Sequence, residues 1–113
     1  MPVIYKICTA SEWESAVATG FYAGSEIDRR DGFIHFSTAT QVAETARRHF
    51  AGQPDLVLVA VDTGALGDKL RFEPSRGGDL FPHLYAPLPV RTAVWVKPLP
   101  LGAAGGHVFP ALA

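Results

Sequence analysis

The chain has 113 residues, of which 48% are hydrophobic and 19% charged, and its formal net charge is −1. That length fits one compact domain, residues 1–113, with enough apolar material for a core of moderate stability. The charge balance excludes avid, sequence-independent binding to nucleic acid, which needs many phosphate contacts from Lys and Arg, and no apolar stretch approaches membrane-spanning length.

Residues 3–8 read as a strand, and Thr9 with Glu12 forms a capping box that opens a short helix. Trp13, Ala16 and Val17 make its apolar stripe, and Gly20 ends it. Cys8, the single cysteine, cannot close an internal disulfide and reads as a buried space-filling thiol rather than a nucleophile. With no charged-then-apolar leader in the chain, the expected setting is reducing and cytoplasmic. The polar segment 23–31 reads as a surface loop carrying Arg29 and Arg30; this pair, like Arg47 and Arg48, is solvated charge or an anion contact.

Residues 33–37 read as a strand whose alternation puts Ile34 and Phe36 in the core and His35 and Ser37 together on the opposite face. Thr38 with Gln41 forms a second capping box, opening a helix over about 39–50 that buries Val42, Ala46 and Phe50 and ends at Gly52. The continuous apolar run 56–61 predicts a central strand covered on both faces. After a turn at 64–67, residues 69–73 alternate as a strand with Lys69, Arg71 and Glu73 on one face, and Pro74 is expected to stop the pairing. Residues 75–79 read as a flexible loop, and 81–89 as too proline-rich for a central strand, with Pro82 a candidate for a cis bond. A last strand is expected at 90–96, and 100–113 as a loose tail beyond a core of about 3–99. The order predicts an α+β fold with two helices in the N-terminal half.

The run Gly-Phe-Ile-His-Phe-Ser-Thr at 32–38, the strand at 56–62, Phe-Glu-Pro-Ser at 72–75 and Phe-Pro-His-Leu-Tyr at 81–85 resemble a bacterial family catalogued as domain of unknown function 952. More distantly, the order of segments resembles the catalytic domain of RNA 2'-phosphotransferases, of the ADP-ribosyltransferase fold. That resemblance implies split, bent antiparallel sheets enclosing an NAD-binding cleft, with residues 34–37 matching a hydrophobic-His-hydrophobic-Ser strand. Their first strand carries Tyr-His-Gly-Thr, whereas this chain has Tyr5, Lys6, Ile7, Cys8 and Thr9, so Lys6 stands where a histidine is expected and no glycine follows. Lys6 would repel a positively charged nicotinamide, and Ile7 is bulkier than the glycine it replaces.

Transfer of ADP-ribose passes through a cation-like sugar, which calls for a carboxylate near the ribose and donors on its hydroxyls. His35, Glu73 and His83 are therefore the catalytic candidates, and Lys6, Arg30, Ser37, Thr38 and Tyr85 the ligand-binding ones. Ser37 and Thr38 would hold an anion at a helix N-terminus, and Tyr85 would stack on a ring. Each also has a plain structural reading: Thr38 as a cap, His35 satisfying a carbonyl inside the sheet, and His83 and Tyr85 anchoring a loop. The expected partner is a small molecule or nucleotide, with NAD as the cofactor the resemblance implies; the alternatives are a non-catalytic binding module and a metal site built from His35, His83 and Glu73. His49 and His107 are not expected to join that cluster. Action on RNA itself is not expected, because no RNA-binding domain accompanies this one and the surface is not strongly basic.

Overall fold

The computed structural model describes residues 2–112, the side chain of Arg76 excepted. Strand β1 (Val3–Thr9) pairs antiparallel with β4 (Leu56–Asp62) along its whole length, and β4 pairs on its other side with β8 (Ala93–Leu99). Leu58, Val59, Ala60 and Val61 of β4 are wholly buried, as a strand with both neighbours paired and both faces covered must be. One face of this sheet, with Ile4, Cys8, Val59 and Val61, packs against Trp13 and Ala16 of helix α1 (Ala10–Thr19) and against Tyr22 and Ile34. The other, with Tyr5, Ile7, Leu58 and Ala60, packs against Val42 and Ala46 of helix α3 (Val42–His49). By alternation Lys6 shares the face of Ile4 and Cys8.

A second three-stranded sheet runs in the order β3 (Ile34–His35), β6 (Asp79–Leu84), β5 (Leu70–Ser75), and β2 (Phe21–Tyr22) pairs with β7 (Leu88–Pro89) in a short ribbon. The two larger sheets meet where the Tyr5 and Ser37 backbones exchange hydrogen bonds of 2.8 and 2.9 Å. The fold is α+β with every strand pair antiparallel.

The Thr9–Glu12 capping box and the left-handed Gly20 cap (φ 92°) frame α1 as expected, but Val17 is exposed, because only Trp13 and Ala16 of this short helix face the sheet. The segment 23–31 is not a loop. It contains helix α2 (Glu26–Asp31), opened by a reciprocal Ser25–Asp28 capping box and closed by Gly32 at φ 87°. Helix α3 starts only at Val42: Gln41 Oε1 accepts from the Thr38 amide, but the Thr38 hydroxyl turns to Thr40, so the second box is half formed.

Pro74 lies within β5 and does not stop it, because β5 is an edge strand where a missing N–H loses no ladder partner. The segment 79–84 is a central strand despite Pro82, and no peptide bond among the described residues is cis. The Pro82 carbonyl accepts from the Phe36 amide at 2.9 Å, yet proline has no N–H to return, so β3 ends at His35 and Ser37 turns to Tyr5 instead. Gly77 (φ 77°) and Gly78 (φ 96°) turn the chain between β5 and β6, so the connection read at 75–79 is narrower, with Ser75 and Asp79 paired in the strands. Residues 90–92 form a 3-10 turn and the last strand begins at Ala93. The segment after 100 is tied down by a Leu101–His107 bridge, by a contact of 2.9 Å between the His107 ring and the Gln53 carbonyl, and by Phe109 and Leu112 packed on the α3-side core. No helix among the described residues is long and apolar enough to cross a membrane.

Truncation of Leu58 to alanine is expected to cost about 2–5 kcal/mol, because it empties space at a wholly buried position. Thr9→Ala, which removes only a helix cap, is expected to cost about 1 kcal/mol. Urea unfolding of the two variants checks the order.

Candidate functional site

A buried carboxylate organises the junction between the sheets. Asp28, on α2 and 2% exposed, receives the Lys6 ammonium at 2.7 Å and the Ser25 amide at 2.9 Å on Oδ2. Its Oδ1 receives the His35 ring Nδ1 at 2.6 Å and the His35 amide at 3.1 Å. One side chain therefore joins β1, α2 and β3. Burial pushes the Asp28 carboxyl up, but the His35 hydrogen bond and the Lys6 charge outweigh it, and the group is held well below the ordinary aspartate range. Gly24, at φ 105°, makes room for it: a Cβ there would lie 2.7 Å from the Asp28 Cβ. Lys6 also acts on Cys8, whose thiol burial nevertheless pushes up to about 12, leaving it unreactive.

Beside this network opens a cavity of about 410 Å³, floored by Tyr5, Lys6 and Ile7 and walled by α2, β3 and α3. Lys6, Arg30, His35, Ser37 and His83 line it; Thr38, Glu73 and Tyr85 do not. Arg30 pairs with Asp31 at 3.1 Å at the mouth, and His35 Nε2 meets the other oxygen of Asp31, also at 3.1 Å. The Ser37 hydroxyl is bonded to Thr45 on α3 at 2.8 Å.

Glu73 and Tyr85 join the site through His83. Glu73 Oε1 accepts from the Tyr85 hydroxyl at 2.7 Å and faces His83 Nδ1 at 2.8 Å. The Tyr85 and His83 contacts hold the Glu73 carboxyl below its ordinary range, and the same bond pushes the Tyr85 phenol up. Phe33 stacks on His83 (centroids 4.1 Å apart, planes at 28°) and touches His35 and Tyr85, so the two networks share one aromatic wedge. The histidine rings lie 5.5 Å apart, edge to face.

Asp28, Asp31 and Phe33 were not singled out in the sequence, and His49, set aside there from the histidine cluster, lines the cavity from the end of α3. The Ser25–Asp28 spacing was the available signal for Asp28, as a capping pair; a partner seven residues on at His35 leaves no such mark. His35, His83 and Glu73 do not converge on a common point, since each Nδ1 faces a different carboxylate, and no group of three metal-ligating side chains gathers among the described residues.

The family described as "Protein of unknown function (DUF952)" matches residues 7–96. The chain belongs to the DUF952 family. It is similar to protein CC0527 from Caulobacter crescentus, whose crystal structure aligns with a TM-score of 0.90 at 47% identity, covering 94% of this chain and 93% of that one. The solution structure of CC0527 aligns with a TM-score of 0.84 at 48% identity, covering 94% and 91%. None of the curated proteins matches the chain. The DUF952 match spans Ile7 to Val96 and thus takes in Asp28, His35, Glu73 and His83, while Lys6 lies just outside it.

Asp28→Asn is expected to destabilise the fold by about 3–5 kcal/mol, because it leaves the buried Lys6 ammonium without its counter-charge. The folded-state pKa of Asp28 is depressed, so the stability it contributes is present above the ordinary value of 3.8 and is lost as pH falls through the lowered one. Chemical unfolding across acid pH should therefore show a steep loss in the parent chain and a flatter one in the variant.

Proposed function

We propose that this chain binds a small phosphate-bearing molecule, of the nucleotide or ADP-ribose class, in the cleft between β1, α2 and α3. The charge arrangement carries the reading. Lys6, Arg30 and Arg48 line the cleft with His35 and His83, while its two carboxylates, Asp28 and Asp31, are turned onto Lys6, Arg30 and His35. An incoming anion thus meets the exposed Arg30 and Arg48 guanidinium groups and no unpaired carboxylate.

An ADP-ribosyltransferase-like reading of the fold draws support from the division of the strands into two three-stranded antiparallel sheets that touch through Tyr5 and Ser37 at this cleft. The departure at Lys6 weighs less against NAD than the bare sequence implies. Its charge is compensated by Asp28 at 2.7 Å, which weakens repulsion of a nicotinamide cation, and Ile7 packs into the α3-side core. NAD therefore stays within the ligand class.

Thermal unfolding in the presence of NAD, ADP-ribose, other nucleotides and divalent metals tests the proposal. A phosphate-bearing ligand at about 100 times its Kd should stabilise the fold by roughly 2.7 kcal/mol. That gain should shrink in the Arg30→Ala/Arg48→Ala double variant, whose side chains are largely exposed and carry little of the fold. Indifference to every nucleotide, or the same gain in the double variant, would reject the proposal.

A further inference from the structure

The two histidines of the cleft are held in different ways. His35 has a carboxylate on each ring nitrogen, Asp28 at 2.6 Å and Asp31 at 3.1 Å, so it has no nitrogen left for a ligand. His83 has a carboxylate on one side only, Glu73 at 2.8 Å from Nδ1. His83, 5% exposed, lines the cavity, and its Nε2 has no hydrogen-bond partner among the described residues.

A carboxylate can only accept, so the nitrogen facing Glu73 carries a proton, and in the neutral ring Nε2 is left with the lone pair. The Tyr85 hydroxyl, a donor to the same Glu73 oxygen, keeps that carboxylate ionised and fixed. Phe33, stacked on the ring, sets its plane.

We propose that Nε2 of His83 is the proton-accepting atom of this cleft, acting on a hydroxyl of the bound ligand or on a water beside it, with Glu73 and Tyr85 as its positioning residues. The O–H bond breaks heterolytically, the proton moves to Nε2, and the electron pair stays on the oxygen. The imidazolium that forms keeps its Nδ1–H on the Glu73 carboxylate, which offsets the new charge. The hydroxyl acted on rests on the ligand reading above; the proton pattern of His83 does not.

Multiple-bond proton–nitrogen NMR of the uniformly labelled full chain reads that pattern, with His83→Gln to assign the ring. The expected spectrum has a protonated Nδ1 and a lone-pair Nε2 in the parent chain and in Tyr85→Phe, and a mixed or reversed pattern in Glu73→Gln. ADP-ribose should then move the Nε2 signal. A proton on Nε2 in the neutral parent ring, or a pattern unchanged by Glu73→Gln, would overturn the proposal, as would ADP-ribose that moves Lys6 and His35 signals but not Nε2. If ADP-ribose moves no signal, the ligand reading fails. The proposal is then decided by diethyl pyrocarbonate: selective modification of His83 that is lost in Glu73→Gln supports it, and an inert His83 overturns it.

Discussion

The junction of this molecule depends on the burial of one carboxylate. A buried ionised group is tolerated only with donors on its lone pairs and a counter-charge nearby, and Asp28 has both: two backbone amides, a lysine ammonium and an imidazole. The partners come from three elements, so satisfying the charge fixes β1, α2 and β3 relative to one another. The cleft is the space those constraints leave open. A buried ion pair is weak evidence for stability in itself, since an apolar pair of similar volume is often as stable. Its consequence here is positional: it directs Lys6 away from the apolar core, orients the His35 ring and turns the inner carboxylate of the cleft away from any ligand.

Proline chemistry supplies the second constraint. Pro82 gives its carbonyl to Phe36 and has no amide to complete the pair, which ends β3 after two residues and frees the next step of the chain to bridge to β1. The site therefore forms where the β3–β6 ladder is interrupted. His83 follows directly on Pro82, opposite His35 in the register, which brings the two networks to the same place.

The parts of the fold written in local periodicity were legible in the sequence. The run Leu56–Asp62 declares a doubly covered strand by its continuous apolar character, and Thr9 with Glu12 declares the first helix by capping chemistry. Helix α2 was hidden because it buries a charge rather than an apolar stripe, and its one large hydrophobe, Ile27, is exposed. The prolines of β5 and β6 misled because their effect depends on whether the absent N–H faces a neighbouring strand, a property of sheet order and not of the segment. In the site, alternation put His35 and Ser37 on one side of their strand, and both line the cavity. The approach of Asp28 to Lys6 and His35, and of Glu73 to His83, arises from pairings across 22, 7 and 10 positions that no local pattern encodes.

Chemical-shift mapping on the labelled full chain with ADP-ribose addresses the ligand cleft most directly, because it reads every backbone amide at once. The expected result is a compact set of shifts at Lys6, Asp28, Ser37 and His83, around the junction held by Asp28. Shifts confined to the outer strand β8 or spread over the surface, or none at saturating ligand, would contradict a phosphate-binding cleft at this place.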